Sequence, residues 1–271
     1  MNLEGAFVMT IYENRIYKKC RSVYYVLLNL LYSKNGVPIS INNYSFRFVP
    51  KYYRYYTRDY EHENFKFMAR HVKTGMTCID IGAHFGLFSI FLAKYFQCKV
   101  YSFEPTPYTQ KILARNVALN HVENNIEIIP KAVTLKDDVR TFYIQERQED
   151  VANSLIDYHH SNEHKMPYQV QVTSIDSFSR EKKIDFIKID AEGEELQVLI
   201  GGKNTIEKHR PLILLSLHRA AMDARGDTLK MVWDLLIKYD YTVYYENQKY
   251  NEEAFCNQPN MFDVALVPNK L

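Results

Sequence analysis

A chain of 271 residues with a formal net charge of +2, 46% apolar and 24% charged, has the balance of an ordinary globular protein able to bury one sizeable core. Lysine and arginine are spread along it, and the densest basic run, residues 15–21, is short, so nothing points to nucleic acid as a partner. Cys20, Cys78, Cys98 and Cys256 stand far apart without a CxxC pair, which argues against a zinc site or disulfide framework and for a reducing, cytoplasmic setting.

In chain order, residues 1–35 read as helical, with no basic start and apolar run of the secretory kind at residues 1–10. The apolar stretch 23–32 is about half of the ~20 residues a membrane span needs, so a buried or interfacial helix is expected, with contact at a membrane surface as one role. Residues 37–41 and 44–49 alternate around Asn42-Asn43 like a hairpin, and 65–72 reads as a helix. This sets the expected organisation: an N-terminal helical and hairpin extension over 1–70, then a catalytic domain over 71–271.

From residue 76 strands and helices alternate: strands 76–81, 99–103 and 126–130, with helices 87–96 and 107–120 between them. Residues 141–144 and 169–173 alternate like strands, and 145–167 reads as a long polar loop suited to a lid over substrate. His159, His160 and His164 lie in it, at a spacing that matches no metal motif. Strand 184–190, helix 194–200, strand 212–217, a helix over 227–239 capped by Asp227 or Gly226, and strands 241–245 and 262–267 complete the pattern. The fold class expected is α/β, a Rossmann-like, mostly parallel sheet with helices on both faces.

Ligands of such sheets bind beyond the carboxyl ends of the strands. That rule selects the turn Asp80-Ile81-Gly82-Ala83-His84-Phe85-Gly86, the Glu104-Pro105 strand end, the acids from Asp190 to Glu194, and His218. Gly82 and Gly86 allow close backbone approach before a helix N-terminus suited to a carboxylate. Glu104, 22 positions after Gly82, can accept both hydroxyls of a ribose. A dinucleotide would require G-x-G-x-x-G, but His84 and Leu87 hold the second and third glycine places. The ligand expected is therefore adenosine-bearing and free of phosphate, such as S-adenosylmethionine, with the Asp80 carboxylate near its ammonium end.

The stretches CIDIGAHFGLFSIFLAK, VYSFEPTPYTQKILARNVALN, IEIIPKAV, VTSIDSF, IDFIKIDAEGEELQVLIGG and RPLILLSLH occur in that order between residues 77 and 218. In this combination the chain resembles the FkbM family of class I methyltransferases. The resemblance implies a seven-stranded Rossmann-like sheet and methyl transfer from S-adenosylmethionine, typically to hydroxyl oxygens of sugars or polyketides. By position it implies that Asp80, Gly82, Ala83, His84, Phe85 and Gly86 hold the methionine end of the cofactor. Glu104 with Pro105 would hold the ribose, and Lys131, Ala132 and Val133 would border the adenine. Asp190 would face the transferred methyl group.

Two positions depart from the family pattern: His84 stands where the family usually has Asn, and Ser216 where it tends to an acid. His218 is the expected general base, because its unperturbed pKa lies near neutrality. Asp190 is a second catalytic candidate, and Asp190, Glu192 and His218 together could ligate Mg²⁺ or another divalent metal. The expected partner is a small-molecule or glycan acceptor, with a homo-oligomer as a further possibility. The alternative is a non-catalytic glycan-binding or assembly module on the same scaffold. The 22 tyrosines accompany plentiful Asn, Lys and Ile and read as compositional bias, with a tyrosine-lined sugar pocket as the competing explanation.

Overall fold

The computed structural model describes residues 15–145, 154–156, 165–246 and 248–269. The chain divides into two compact units, residues 1–60 and 61–271. The first carries helix α1 (Arg15–Tyr32) and a hairpin of β1 (Val37–Ile41) and β2 (Tyr44–Phe48). Asn42 and Asn43 both have positive φ, 51° and 67°, the conformation that a two-residue hairpin turn requires and asparagine tolerates. Phe48, Tyr56 and Tyr60 pack ring on ring, with centroids 5.2 and 5.0 Å apart. Among the described residues, no helix is long and apolar enough to cross a membrane.

The second unit begins with α2 (His62–His71) and then alternates through β3 (Thr77–Ile81), α3 (Leu87–Phe96), β4 (Lys99–Phe103), α4 (Pro107–Leu119) and β5 (Ile126–Ile129). Next come β6 (Ala132–Val133), β7 (Asp138–Gln145), β8 (Lys165–Thr173) and the one-turn α5 (Ile175–Phe178). The chain continues through β9 (Phe186–Ile189), α6 (Glu195–Gly201), α7 (Lys203–His209), β10 (Leu212–His218), α8 (Arg219–Arg225) and α9 (Leu229–Lys238). It ends with β11 (Tyr241–Tyr245), β12 (Gln248–Lys249), α10 (Glu252–Cys256) and β13 (Met261–Pro268).

The main sheet has the order β12-β11-β13-β10-β9-β3-β4-β5. β3, β4, β5, β9 and β10 run parallel, and β13 is antiparallel to both its neighbours. The chain winds outward from β3 through β4 to β5, then crosses back to β9 on the other side of β3. The resulting crevice at the carboxyl ends of β3 and β9 is where an open α/β sheet binds ligands.

Strand periodicity gives the two faces different chemistry. Ile79, Ile81, Ile187, Ile189, Ile213, Leu215, Val264 and Leu266 belong to the main apolar core. The opposite face carries a polar row: Asp80 pairs with Lys188, Ser216 with Asp263, and His218 with Met261.

Three local expectations change. The seven expected strands gain a two-residue edge strand, β12, to make a sheet of eight, and β7 and β8, which cover the strands expected at 141–144 and 169–173, form a separate sheet in the order β6-β8-β7. β7 runs to Gln145 and β8 starts at Lys165, so the long connection is shorter at both ends than residues 145–167. Ser154 within it exchanges backbone hydrogen bonds with Tyr143. His159, His160 and His164 lie outside the described residues, as do residues 1–14 of the expected first helix. Finally, Gly226 ends α8 at φ 91°, and the α9 cap is Thr228, whose Oγ1 accepts from the Met231 N–H at 3.3 Å.

Candidate active site

The glycine turn is built by its neighbours. The N–H groups of Gly82 and Ala83 both donate to the Phe103 carbonyl at 3.0 Å, tying the end of β3 to the end of β4. Gly82 sits at φ 75°, and a Cβ there would lie 2.0 Å from the Asp190 carbonyl oxygen, so no side chain fits between turn and β9. His84 also has positive φ, 49°. That conformation explains both the family's preference for asparagine and the tolerance of histidine, since both residues are enriched there. The buried Asn116 of α4, which sequence reasoning passed over, donates from Nδ2 to the Phe85 carbonyl at 2.9 Å and clamps the turn from behind.

Asp80 lies beneath this turn, 1% exposed, and accepts from the Ser89 hydroxyl at 2.5 Å. Burial pushes its pKa up, against the pull of Ser89 and the Lys188 charge. Glu104 accepts from the His84 N–H at 3.0 Å and from the Thr106 N–H at 2.9 Å. Burial outweighs these hydrogen bonds and pushes the Glu104 carboxyl up to about 7. His84 is driven the other way, down to about 4, by burial against a smaller opposing effect of Asp190. Ala132 and Val133 are buried and pair with Val172 and Thr173, while Lys131 is half-buried after the end of β5.

Across the crevice the groups are charged and matched. Lys188, 1% exposed in the middle of β9, donates to Asp190 Oδ2 at 3.0 Å and to Ser216 Oγ at 3.1 Å. The cross-strand partner of Ser216 is Asp263, whose charge acts on Lys188. Burial disfavours charge on both Lys188 and Asp190, but their attraction prevails: the lysine pKa rises and the aspartate pKa falls.

His218 Nδ1 lies 2.8 Å from Glu195 Oε1, and its Nε2 is 3.6 Å from Asp190 Oδ1 and 3.5 Å from Glu192 Oε2. Glu192 lies in a turn in which it and Gly193 both take positive φ, 51° and 104°. Burial pulls the imidazole pKa down, but the Glu195 hydrogen bond and the charges of Glu195, Glu192 and Asp190 push it up to about 10. Ligand atoms of Asp190, Glu192 and His218 lie within 4.8 Å of one another.

Glu195 is fully buried behind His218 and also accepts the Gly193 N–H at 3.0 Å. Among the described residues, its Oε2 has no hydrogen-bond partner. Lys188 and Glu195 were missed because a strand lysine and a first-turn helix glutamate each have bland local explanations. The E-G-x-E spacing after Asp190 was the available signal. Glu194, by contrast, accepts from Thr134 Oγ1 at 2.5 Å and pairs with Arg225, which joins α6 to neighbouring elements.

A doubly wound sheet with a reversed last strand, a glycine turn after β3 and an acid closing β4 defines a Rossmann-like methyltransferase fold. The methyltransferase FkbM domain matches residues 80–243, and the chain belongs to this family. It is similar to methyltransferase sdnD of Sordaria araneosa, 26% identical over 166 residues, which cover 50% of this chain and 62% of that protein. It is also similar to methyltransferase 1 of Beauveria bassiana (strain ARSEF 2860), 29% identical over 142 residues, covering 45% of this chain and 57% of that one. The chain thus spans about three-fifths of the length of these relatives. Among solved structures, methyltransferase FkbM from Methylobacillus flagellatus KT aligns with 80% of this chain and 50% of its own at 16% identity, with a TM-score of 0.46.

Proposed function

We propose that the protein transfers the methyl group of S-adenosylmethionine to a hydroxyl oxygen of an acceptor such as a sugar, a polysaccharide or a glycosylated or polyketide metabolite. The observation that carries this is the convergence of Asp190, Glu192, Glu195 and His218 beside the Gly82 turn. When bound, the cofactor supplies a methyl group already activated by its sulfonium, so the protein has to position groups and manage one proton.

The donor set fits that cofactor. Glu104 has two carboxylate oxygens, each holding one backbone N–H, and each retains acceptor capacity for a ribose hydroxyl. Lys131, Ala132 and Val133 would border the adenine. Gly82 through Gly86 would present backbone to the methionine end, and Asp80 would act from beneath by its negative potential. Asp190, fixed by Lys188, would face the reacting carbon.

His218 Nε2 would take the acceptor's hydroxyl proton, while Glu195 fixes the ring by holding Nδ1–H. The three surrounding carboxylates make this histidine a stronger base than an isolated one. They also keep it protonated at neutral pH, so the reactive deprotonated form grows as pH rises. Asp190, Glu192 and His218 also form a set for a divalent cation such as Mg²⁺, but a proton on Nε2 competes for the same two acids. Full activity in a chelator would support metal-independent transfer, and loss of activity would place a divalent cation on Asp190, Glu192 and His218. The main test is calorimetry with S-adenosylhomocysteine followed by transfer of labelled methyl to hydroxylated acceptors. Failure to bind the cofactor product would end this proposal.

A further inference from the structure

The first unit holds a charge out of proportion to the rest of the chain. Between residues 14 and 58 there are nine lysines and arginines and no acid, and residues 1–60 as a whole hold three acids against those nine. Residues 1–60 thus carry +6 of a chain whose net charge is +2, which leaves −4 for residues 61–271. Lys34, Arg47, Lys51, Arg54 and Arg58 are all exposed. Eleven of the 22 tyrosines also fall within residues 1–60.

Helix α1 adds an exposed apolar face to this basic unit. Its inward ridge is the buried Leu28, with the half-buried Tyr25 and Tyr32 one turn to either side. Val23, Val26, Leu27, Leu30 and Leu31 point the other way and are between 54% and 75% exposed. At about 100° per residue these five cover an arc of roughly 140°, the width that a helix normally turns toward a core. No charge interrupts residues 22–33. Cations rim the face instead. Arg54 lies over the ring of Tyr24, 5.0 Å from its centroid, and donates to the Tyr24 hydroxyl at 3.2 Å. Arg47 donates to the Asn35 carbonyl at 2.9 Å, just past the helix end and next to Lys34. The helix opens on residues 15–21, which hold four cations.

An apolar stripe of this width inside a cationic rim calls for a cover that matches both. A nucleic acid would satisfy the cations and leave five aliphatic side chains in water. A second copy would bury the aliphatic face and bring like charges together. An anionic bilayer surface answers both, since the acyl boundary takes the aliphatic face while headgroups meet the cations and the Tyr24 ring. Among the described residues no helix is long and apolar enough to cross a membrane, and an amphipathic helix with a basic flank lies in the plane of the interface. We propose that α1 lies in the surface of a bilayer containing anionic phospholipid, with Val23, Val26, Leu27, Leu30 and Leu31 in the acyl boundary and the surrounding cations among the headgroups. The inference does not depend on the methyl-transfer function proposed above.

The test is flotation of the full chain with vesicles of phosphatidylcholine alone and of phosphatidylcholine with about one-quarter phosphatidylserine. Binding to the mixed vesicles is expected to be tighter by about tenfold or more, and to weaken as salt is raised. Leu30→Ser with Leu31→Ser replaces two exposed side chains and should cut binding to the mixed vesicles by about tenfold or more. Lys34→Gln with Arg58→Gln should reduce it by about fivefold per cation removed and leave binding to phosphatidylcholine unchanged. Melting curves that match wild type show that both variants are folded. Equal binding to the two vesicle types, binding to neither, or mixed-vesicle binding unmoved by the leucine pair would each overturn the inference. So would a chain that ignores vesicles and either forms a dimer that the leucine pair dissociates or binds an RNA oligonucleotide.

Discussion

The two sides of the crevice respond to burial in opposite ways. On the β3–β4 side, Glu104 is pushed up to about 7 and His84 down to about 4, because burial meets too little opposing charge. On the β9–β10 side Lys188, at least as buried as Glu104, stays ionised with the more exposed Asp190, and the half-buried His218 does so with Glu195, Glu192 and Asp190. Burial alone therefore does not set protonation; the presence of a matched partner does. The first side is a weakly charged surface of backbone and carboxylate suited to holding a nucleoside. The second is a charged network suited to moving a proton.

The contrast predicts separable losses. Replacing His218 by alanine should lower turnover by ~10²–10⁴-fold, the usual contribution of a positioned acid or base, with calorimetric affinity for S-adenosylhomocysteine retained. Equal loss of both would make His218 a structural residue. Glu104→Ala should do the reverse, weakening cofactor affinity by about 10–100-fold, as for lost hydrogen bonds to a charged group, while turnover at saturation changes little.

Glu195→Gln removes the charge behind Nδ1. It should cut the rate by about tenfold through loss of ring orientation, and move the rising limb of the pH–rate profile downward, toward the ordinary histidine range. A mere packing defect would lower the rate without moving the limb.

The stability consequence of His218 has a fixed sign. Its folded pKa lies above the unfolded value, so its contribution is fully present below the unfolded value of ~6.5 and is lost as pH rises toward about 10. Denaturant titrations of wild type should therefore weaken across that window more steeply than those of Glu195→Gln. The smallest effect belongs to Glu104. If its ionised form accepts the ribose hydroxyls, cofactor affinity should fall severalfold as pH drops through about 7, and Glu104→Gln should flatten that dependence.

Much of the first side was legible in sequence. Gly82 and Gly86 at a strand-to-helix turn, followed by an acid at the next strand end, are local signals of backbone conformation and chain direction. The second side was legible only in part. Asp190 and His218 stood at strand ends and could be nominated, but nothing local marked Glu195, a first-turn helix acid, or Lys188, a lysine within a strand. That Asp263 lies beside Ser216 followed only from the β10–β13 register. Asn116 gave no signal at all, since its function is to reach the Phe85 carbonyl 31 positions away.

By itself, then, the sequence determined the alternation of strands and helices, the glycine turn, the acid at the end of β4 and the family resemblance, because each resides in local periodicity or in contiguous motifs. Only the tertiary structure decided which face each residue shares, which acids meet His218, and whether a buried group keeps its charge. Those outcomes depend on strand register and on desolvation against partners distant in sequence, and no local pattern encodes either.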